Sequence, residues 1–144
     1  MLITRVLVLT IALIAATATA HAQISDGIVK IGVMNDQSGT YADITGPGST
    51  TAARLAVEDF GAAKKGLKVE IVVADHLNKP DVGSSIARQW YDAEKVDVIV
   101  DVPTSSVALA INQITRDKGK AFLVSGAASS DLTGSKCVRC ARPA

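Results

Sequence analysis

Apolar residues come in four short runs, each followed by a segment where they recur every three or four positions. The runs are Ile28-Val-Lys-Ile-Gly-Val-Met34, Lys68-Val-Glu-Ile-Val-Val73, Val96-Asp-Val-Ile-Val100 and Ala121-Phe-Leu-Val124. They are too short for helices and rich in β-branched residues, so they predict strands at Val29 to Met34, Lys68 to Val73, Val96 to Val100 and Ala121 to Val124. The segments between them predict helices. In the first, Ala52, Leu55, Ala56 and Phe60 share a face, Ser49 to Thr51 supply N-cap hydroxyls, and Gly66 stops the helix. In the second, Pro80 suits a first turn, and Val82, Ile86 and Trp90 fall at every fourth position. In the third, Ser105 and Ser106 can cap, Val107, Ala110, Ile111 and Ile114 form the stripe, and Gly119 follows the end. Strand and helix alternate throughout, which predicts an α/β fold: a parallel sheet with right-handed crossover helices on both faces.

Ligands of such sheets sit beyond the carboxyl ends of the strands, near the point where strand order reverses. Four loops occupy that edge: Asn35 to Gly48, Ala74 to Asn78, Asp101 to Ser106, and Ser125 to Ser130. Three are rich in Ser, Thr, Gly and Ala and carry no Lys or Arg. Backbone N–H groups, hydroxyls and a helix N-terminus there can hold a carboxylate without a full positive charge. Ser105 and Ser106 have a second reading as simple helix caps, and the two roles are compatible.

Composition narrows the setting. Met1 to Ala22 has one cation, Arg5, an apolar stretch from Val6 to Ala16, and the ending Ala20-His21-Ala22. This is the pattern of a secretory signal peptide over residues 1–22, with the mature chain starting at Gln23. The alternative, a membrane anchor, needs about 20 predominantly apolar residues, and threonines and His21 dilute the run too early. No Cys stands at the cleavage point, so lipid attachment is not indicated, and no other segment is suited to membrane insertion. Loss of Arg5 leaves fourteen of the fifteen cations against fourteen carboxylates. A formally neutral chain lacks the basic stripe that nucleic-acid binding requires. The remaining 122 or so residues suffice for one small domain with a core. With few aromatic residues, close helix-on-sheet packing is favoured over a large aromatic pocket.

Four segments, in order, carry a family resemblance. Ser38-Gly-Thr-Tyr-Ala-Asp-Ile-Thr-Gly-Pro-Gly48 with Ala52-Ala-Arg-Leu-Ala-Val-Glu-Asp-Phe60 resembles the amino-terminal lobe of type I periplasmic substrate-binding proteins. So do Ala74-Asp-His-Leu-Asn-Lys-Pro-Asp-Val-Gly83, Val98-Ile-Val-Asp-Val-Pro-Thr-Ser-Ser106 and Ser125-Gly-Ala-Ala-Ser-Ser-Asp-Leu-Thr-Gly134. The chain is most similar to the branched-chain amino acid and amide group that serves ABC importers, including members that bind aromatic acids. The resemblance implies a periplasmic, non-enzymatic solute-binding component that takes a small carboxylate or amide and engages the importer's membrane subunits in its full-length form. It implies no cofactor and no metal. Carried over by position, ligand contacts would fall on Thr104, Ser105 and Ser106, and on Gly126, Ala127, Ala128 and Ser129, with Ser38 and Tyr41 lining the cleft from the first loop. Family members often have Thr where this chain has Ala128, which removes one hydroxyl contact and favours a carboxylate that is not an amino acid.

The family has two lobes that close around the ligand, and the resemblance runs out near Cys137. It therefore implies an incomplete amino-terminal lobe over residues 23–136 and an aberrant or truncated tail over 137–144, from a truncated gene, a frameshift or an incomplete sequence. It also implies that Cys137 ordinarily pairs with a downstream cysteine. Cys137 and Cys140 form a C-x-x-C pair, which invites a redox or metal reading. Zinc needs about four ligands, and only these two and a distant His76 are present in the mature chain.

Two other function classes remain at this point. A secreted α/β hydrolase could be assembled from Ser38 or Ser105, His76, and Asp75 or Asp101. Against it, there is no G-x-S-x-G elbow, no complete dinucleotide fingerprint at Gly46-Pro-Gly48 and no phosphate-binding G-x-x-x-x-G-K motif. The same fold could instead serve a ligand sensor, or the fragment could be inert.

Overall fold

The structure, a computed structural model, describes residues 27–137. The signal peptide read at 1–22 lies outside the described residues, and so does all of the tail read at 137–144 except Cys137, Cys140 included. Four strands, β1 (Ile28–Asn35), β2 (Lys68–Asp75), β3 (Val98–Asp101) and β4 (Ala121–Val124), form one sheet in the order β2-β1-β3-β4. All three pairings are parallel, with Gly32 opposite Val72 on one side and Ile99 on the other. The chain leaves β1 toward β2 and then returns past β1 to β3, so strand order reverses between β1 and β3.

Strands β1 and β2 run on to Asn35 and Asp75, one or two residues past the apolar runs. Strand β3 starts late instead. Val96 is fully buried, but its N–H goes to the Trp90 carbonyl (3.0 Å) and not into the sheet, and Asp97 reaches the Lys30 carbonyl only at the entry to the ladder.

The core lies on one face of the sheet, beneath α3 (Pro80–Asp92) and α4 (Ser105–Lys118). Trp90, Tyr91 and Ala87 of α3 meet Val107, Ala108, Ile111 and Ile114 of α4 over Met34 and Ile99. Each large apolar side chain fully buried there contributes about 1.5–3 kcal/mol. Close approach is possible because two positions lack a side chain. A Cβ on Gly32 would overlap the Trp90 ring, and one on Gly83 would fall 2.6 Å from Val107 Cγ1. Pro80 stands in the first turn of α3, as its missing N–H permits. Gly119 closes α4 in the left-handed conformation (φ 60°).

The opposite face differs from the sequence expectation. Helix α1 (Ala42–Thr45) is a short turn, and α2 (Pro47–Phe60) begins two residues before the expected Ser49 to Thr51 cap. Gly46 precedes the helix and Pro47 opens it, so those hydroxyls lie inside the first turns. The helix stops at Gly61 (φ 66°), while Gly66 ends a separate 3-10 turn, Ala62–Lys65. Its expected inner face is also corrected. Leu55 and Phe60 are more than half exposed, and the half-buried positions are Ser49, Thr50, Ala53 and Val57. The stripe of larger residues misled because α2 packs on β1 and β2 through the smaller side chains of its other face. On the same sheet, Leu123 is 63% exposed.

Candidate functional site

The carboxyl edge of the sheet is laced together by acidic side chains at the strand ends. Asp75, last in β2, accepts from Ser38 Oγ (2.6 Å) and from the N–H groups of Gln37 (3.1 Å) and Leu77 (2.8 Å). Asp36 accepts from the N–H groups of Gly39 and Tyr41, both at 2.9 Å, closing the loop that presents Tyr41. Asp101, last in β3, accepts from Asn35 Nδ2 (3.0 Å) and from the Ser125 hydroxyl. Burial pushes the Asp75 carboxyl upward, but its hydrogen bonds from Ser38, Leu77 and Gln37 together outweigh this and hold it below its usual 3.8. These carboxylates are occupied in positioning loops: Asp36 folds its own loop, whereas Asp75 and Asp101 tie segments far apart in the chain.

Above this lattice lies a cleft of about 670 Å³, lined by Tyr41, Ile44, Thr45, Asn78, Pro103, Thr104, Ser105, Ser106, Gly126 and Ala128. It is the place where strand order reverses, as parallel sheets lead one to expect. The structure brings together Tyr41, Thr104, Ser105, Ser106, Gly126 and Ala128 from the residues read in the sequence. It places three others off the lining. Ser38 is engaged with Asp75, Ala127 packs against the core, and Ser129 accepts from the Asp131 N–H (3.3 Å). Ile44, Thr45, Asn78 and Pro103 were missed. All four belong to loops already singled out, but within the first of these Ile44 and Thr45 ride on the short helix α1, which has no periodic signal.

The polar floor is the start of α4. Thr104 is its N-cap residue, yet its hydroxyl makes no cap bond. That Oγ1 is buried and has no hydrogen-bond partner among the described residues. The expected capping by Ser105 is also replaced by another role, since its Oγ accepts from the Ala128 N–H (3.1 Å), joining the third and fourth loops. No Lys or Arg lines the cleft.

The backbone is strained around this edge. Among the described non-glycine residues, Leu77, Asn78, Lys95, Asp101 and Val102 have positive φ; Leu77, Asn78 and Val102 belong to the loops after β2 and β3, and Asp101 ends β3. A β-branched residue such as Val102 (φ 48°) is rarely found there. Such conformations cost about 1–3 kcal/mol each and persist where surroundings over-determine them. The Val102 N–H to Met34 carbonyl bond (2.9 Å) and a fully buried side chain supply that constraint.

His76 is fully buried at the start of the β2–α3 loop. Its Nδ1 accepts from the Asn78 N–H (3.0 Å), and its Nε2 has no partner among the described residues. Burial lowers its pKa below the ordinary 6.5 against the opposing pull of Asp36, Asp75 and Asp101. A hydrolase would need this imidazole joined to a serine. Instead the hydroxyls of Ser38 and Ser105 bond elsewhere. Among the described residues, no group of three or more His, Cys, Asp or Glu side chains is arranged to hold a metal, and no helix is long and apolar enough to cross a membrane. Cys137 is free and exposed, and its carbonyl accepts from Arg116 (3.1 Å) while that of Lys136 accepts from Asn112 (2.7 Å), so α4 holds the segment leading to it.

Comparison with known proteins agrees with this layout. A family model described as periplasmic binding protein matches residues 28–141. No curated protein matches the chain. Among solved structures, a periplasmic binding protein from Burkholderia mallei is 42% identical, with a TM-score of 0.74 over 78% of this chain and 30% of its own. A branched-chain amino acid ABC transporter periplasmic ligand-binding protein from Burkholderia xenovorans LB400 is 45% identical, with a TM-score of 0.72 over 76% of this chain and 29% of its own. An ABC transporter solute-binding protein from R. palustris, in complex with benzoate, is 28% identical, with a TM-score of 0.71 over 78% of this chain and 31% of its own. The chain thus spans about 30% of the length of the solved structures it matches.

Proposed function

The chain belongs to the periplasmic binding protein family, and on that premise we propose that it forms one wall of the ligand cleft of an ABC importer's solute-binding component, taking a small carboxylate or amide. The observation that carries this reading is the buried Thr104 hydroxyl, unpartnered among the described residues, at the head of α4 beside Ser105 and Ser106. A hydroxyl buried without a partner costs about 1–3 kcal/mol. A ligand oxygen received there, at the positive end of a helix, would offset that cost.

Tyr41, Ile44, Pro103 and Ala128 add an apolar wall for the body of the ligand. This combination suits a molecule with an anionic head and an apolar remainder. Benzoate, bound by the R. palustris relative, and branched-chain amino acids, named for the B. xenovorans relative, both fit that description. Ala128 contributes no hydroxyl to receive an ammonium group, which favours a simple carboxylic acid over an amino acid. The signal peptide at 1–22 would deliver the protein to the periplasm, where the membrane subunits of the importer are its partners.

Calorimetry tests this reading. Benzoate and leucine are titrated into the 144-residue chain and into a chimera that continues it with the carboxyl-terminal portion of the B. xenovorans relative. The expected result is one-to-one saturation at about micromolar concentration for the chimera, and much weaker binding by the chain alone, since closure needs two walls. Saturable ester or amide hydrolysis without stoichiometric binding would overturn it.

A further inference from the structure

We propose that His76 is a positioning residue for the cleft: its neutral imidazole accepts the Asn78 N–H through Nδ1 and so holds the turn that sets Asn78 in the cleft wall. Because Nδ1 is the acceptor, the ring proton must reside on Nε2. The Asn78 amide therefore reports directly on the protonation state of the ring. An imidazolium has no acceptor nitrogen, so taking up a proton at Nδ1 must break the bond.

The turn needs such a tie. Leu77 (φ 52°) and Asn78 (φ 56°) are consecutive non-glycine residues in the left-handed region, and each is held by one local bond. Leu77 N–H goes to Asp75 Oδ1 (2.8 Å) and Asn78 N–H to His76 Nδ1 (3.0 Å). The next residue, Lys79, donates to the His76 carbonyl (2.9 Å), and Pro80 then opens α3. His76 itself cannot move aside. Its N–H extends the sheet to the Asn35 carbonyl (3.0 Å), and the space beside its Cβ is occupied by α3 at Gly83.

The charged groups acting on the ring are Asp36 from the loop after β1, Asp75 from β2 and Asp101 from β3, and Gly83 of α3 lies beside its Cβ. All three carboxylates favour the imidazolium, while complete burial opposes it. Burial prevails, so the ring is neutral at pH 7 and takes up its proton only below pH 6.5. Acidification would then free Asn78 from its place in the wall. That consequence for binding rests on the cleft being the ligand site. The tie itself does not.

The test is therefore made without ligand, by NMR on the 15N-labelled 144-residue chain. The expected results are a long-range proton–nitrogen pattern of the Nε2–H tautomer at pH 7, and an Asn78 amide shift that titrates with the same midpoint as the ring, below pH 6.5. Amide protection of Asn78 falls by about tenfold or more across that step. His76→Asn, whose Oδ1 can accept the same N–H as an Asx turn, keeps the Asn78 protection and abolishes its titration. A ring carrying its proton on Nδ1 at pH 7, or an Asn78 amide indifferent to ring titration, overturns the proposal even if no variant folds. Failure of ligand binding with this titration intact would count against the cleft assignment alone.

Discussion

Ser105 Oγ accepts a hydrogen bond from the Ala128 N–H at 3.1 Å, across 23 positions of sequence. The head of α4 and the loop after β4 are thereby joined into one continuous floor.

Ser105→Ala removes that acceptor from a partly exposed site. We expect a loss of about 0.5–1.5 kcal/mol of stability, with faster hydrogen exchange at Ala128 and weaker ligand uptake by the chimera described above. Exchange at Ala128 indistinguishable from wild type would show that the bond does not order the loop.

Gly32 tests the packing beneath the sheet. Gly32→Ala places a Cβ into the Trp90 ring, and overpacking of this kind costs about 1–3 kcal/mol. Urea unfolding followed by Trp90 fluorescence should show a lower midpoint with an unchanged slope.

The orientation of α2 separates two residues of similar character. Val57 is half-buried against the sheet, and Leu55 is 53% exposed. Leu55→Asp should change stability by less than about 0.5 kcal/mol, whereas Val57→Asp should cost about 1–3 kcal/mol by burying an unpaired polar group. Thermal melts of the two variants in parallel decide the matter, and equal losses would restore the face expected from the sequence.

Acid should destabilise the fold in two stages of the same sign. The His76 pKa is lowered in the fold, so above pH 6.5 the ring is neutral in both states and contributes nothing to pH dependence. Below pH 6.5 the unfolded chain takes up the proton that the fold resists, and stability falls until the folded value is passed. The Asp75 carboxyl is also held below its ordinary value, so its contribution is complete above pH 3.8 and is lost as pH falls through the folded value. Melting temperatures should drop as the pH falls below 6.5, and His76→Asn should flatten that part of the profile.

Ionisation of Tyr91 lies at the alkaline extreme. Burial raises its phenol to about 12 against the hydrogen bond with Thr115 (3.3 Å). Absorbance titration should show this tyrosine ionising only near the pH at which the fold itself fails.

Much of the fold was legible in the order of residues. The four strands, the three crossover helices and the loops that meet the cleft follow from short β-branched runs alternating with helical periodicity, which are local properties of the chain. Pro80 and Gly119 did what their backbone chemistry dictates wherever they occur. The inner face of α2 was not legible, because Leu55 and Phe60 promise more burial than Ala53 and Val57 until the packing of that helix on β1 and β2 is known.

At the site the division is sharper. By itself the sequence determined that small polar loops without cations gather at the carboxyl edge of a parallel sheet, and it pointed to Thr104, Ser105, Ser106, Gly126 and Ala128. Only the tertiary structure decided which hydroxyls are already occupied, as at Ser38 with Asp75, and which is buried without a partner among the described residues, as at Thr104. It also decided that the His76 ring bonds back to its own loop and to no serine. The reason is physical: periodicity is set by neighbours along the chain, whereas a hydrogen bond is settled by whichever group lies within about 3 Å, and at this cleft several of those groups come from other strands.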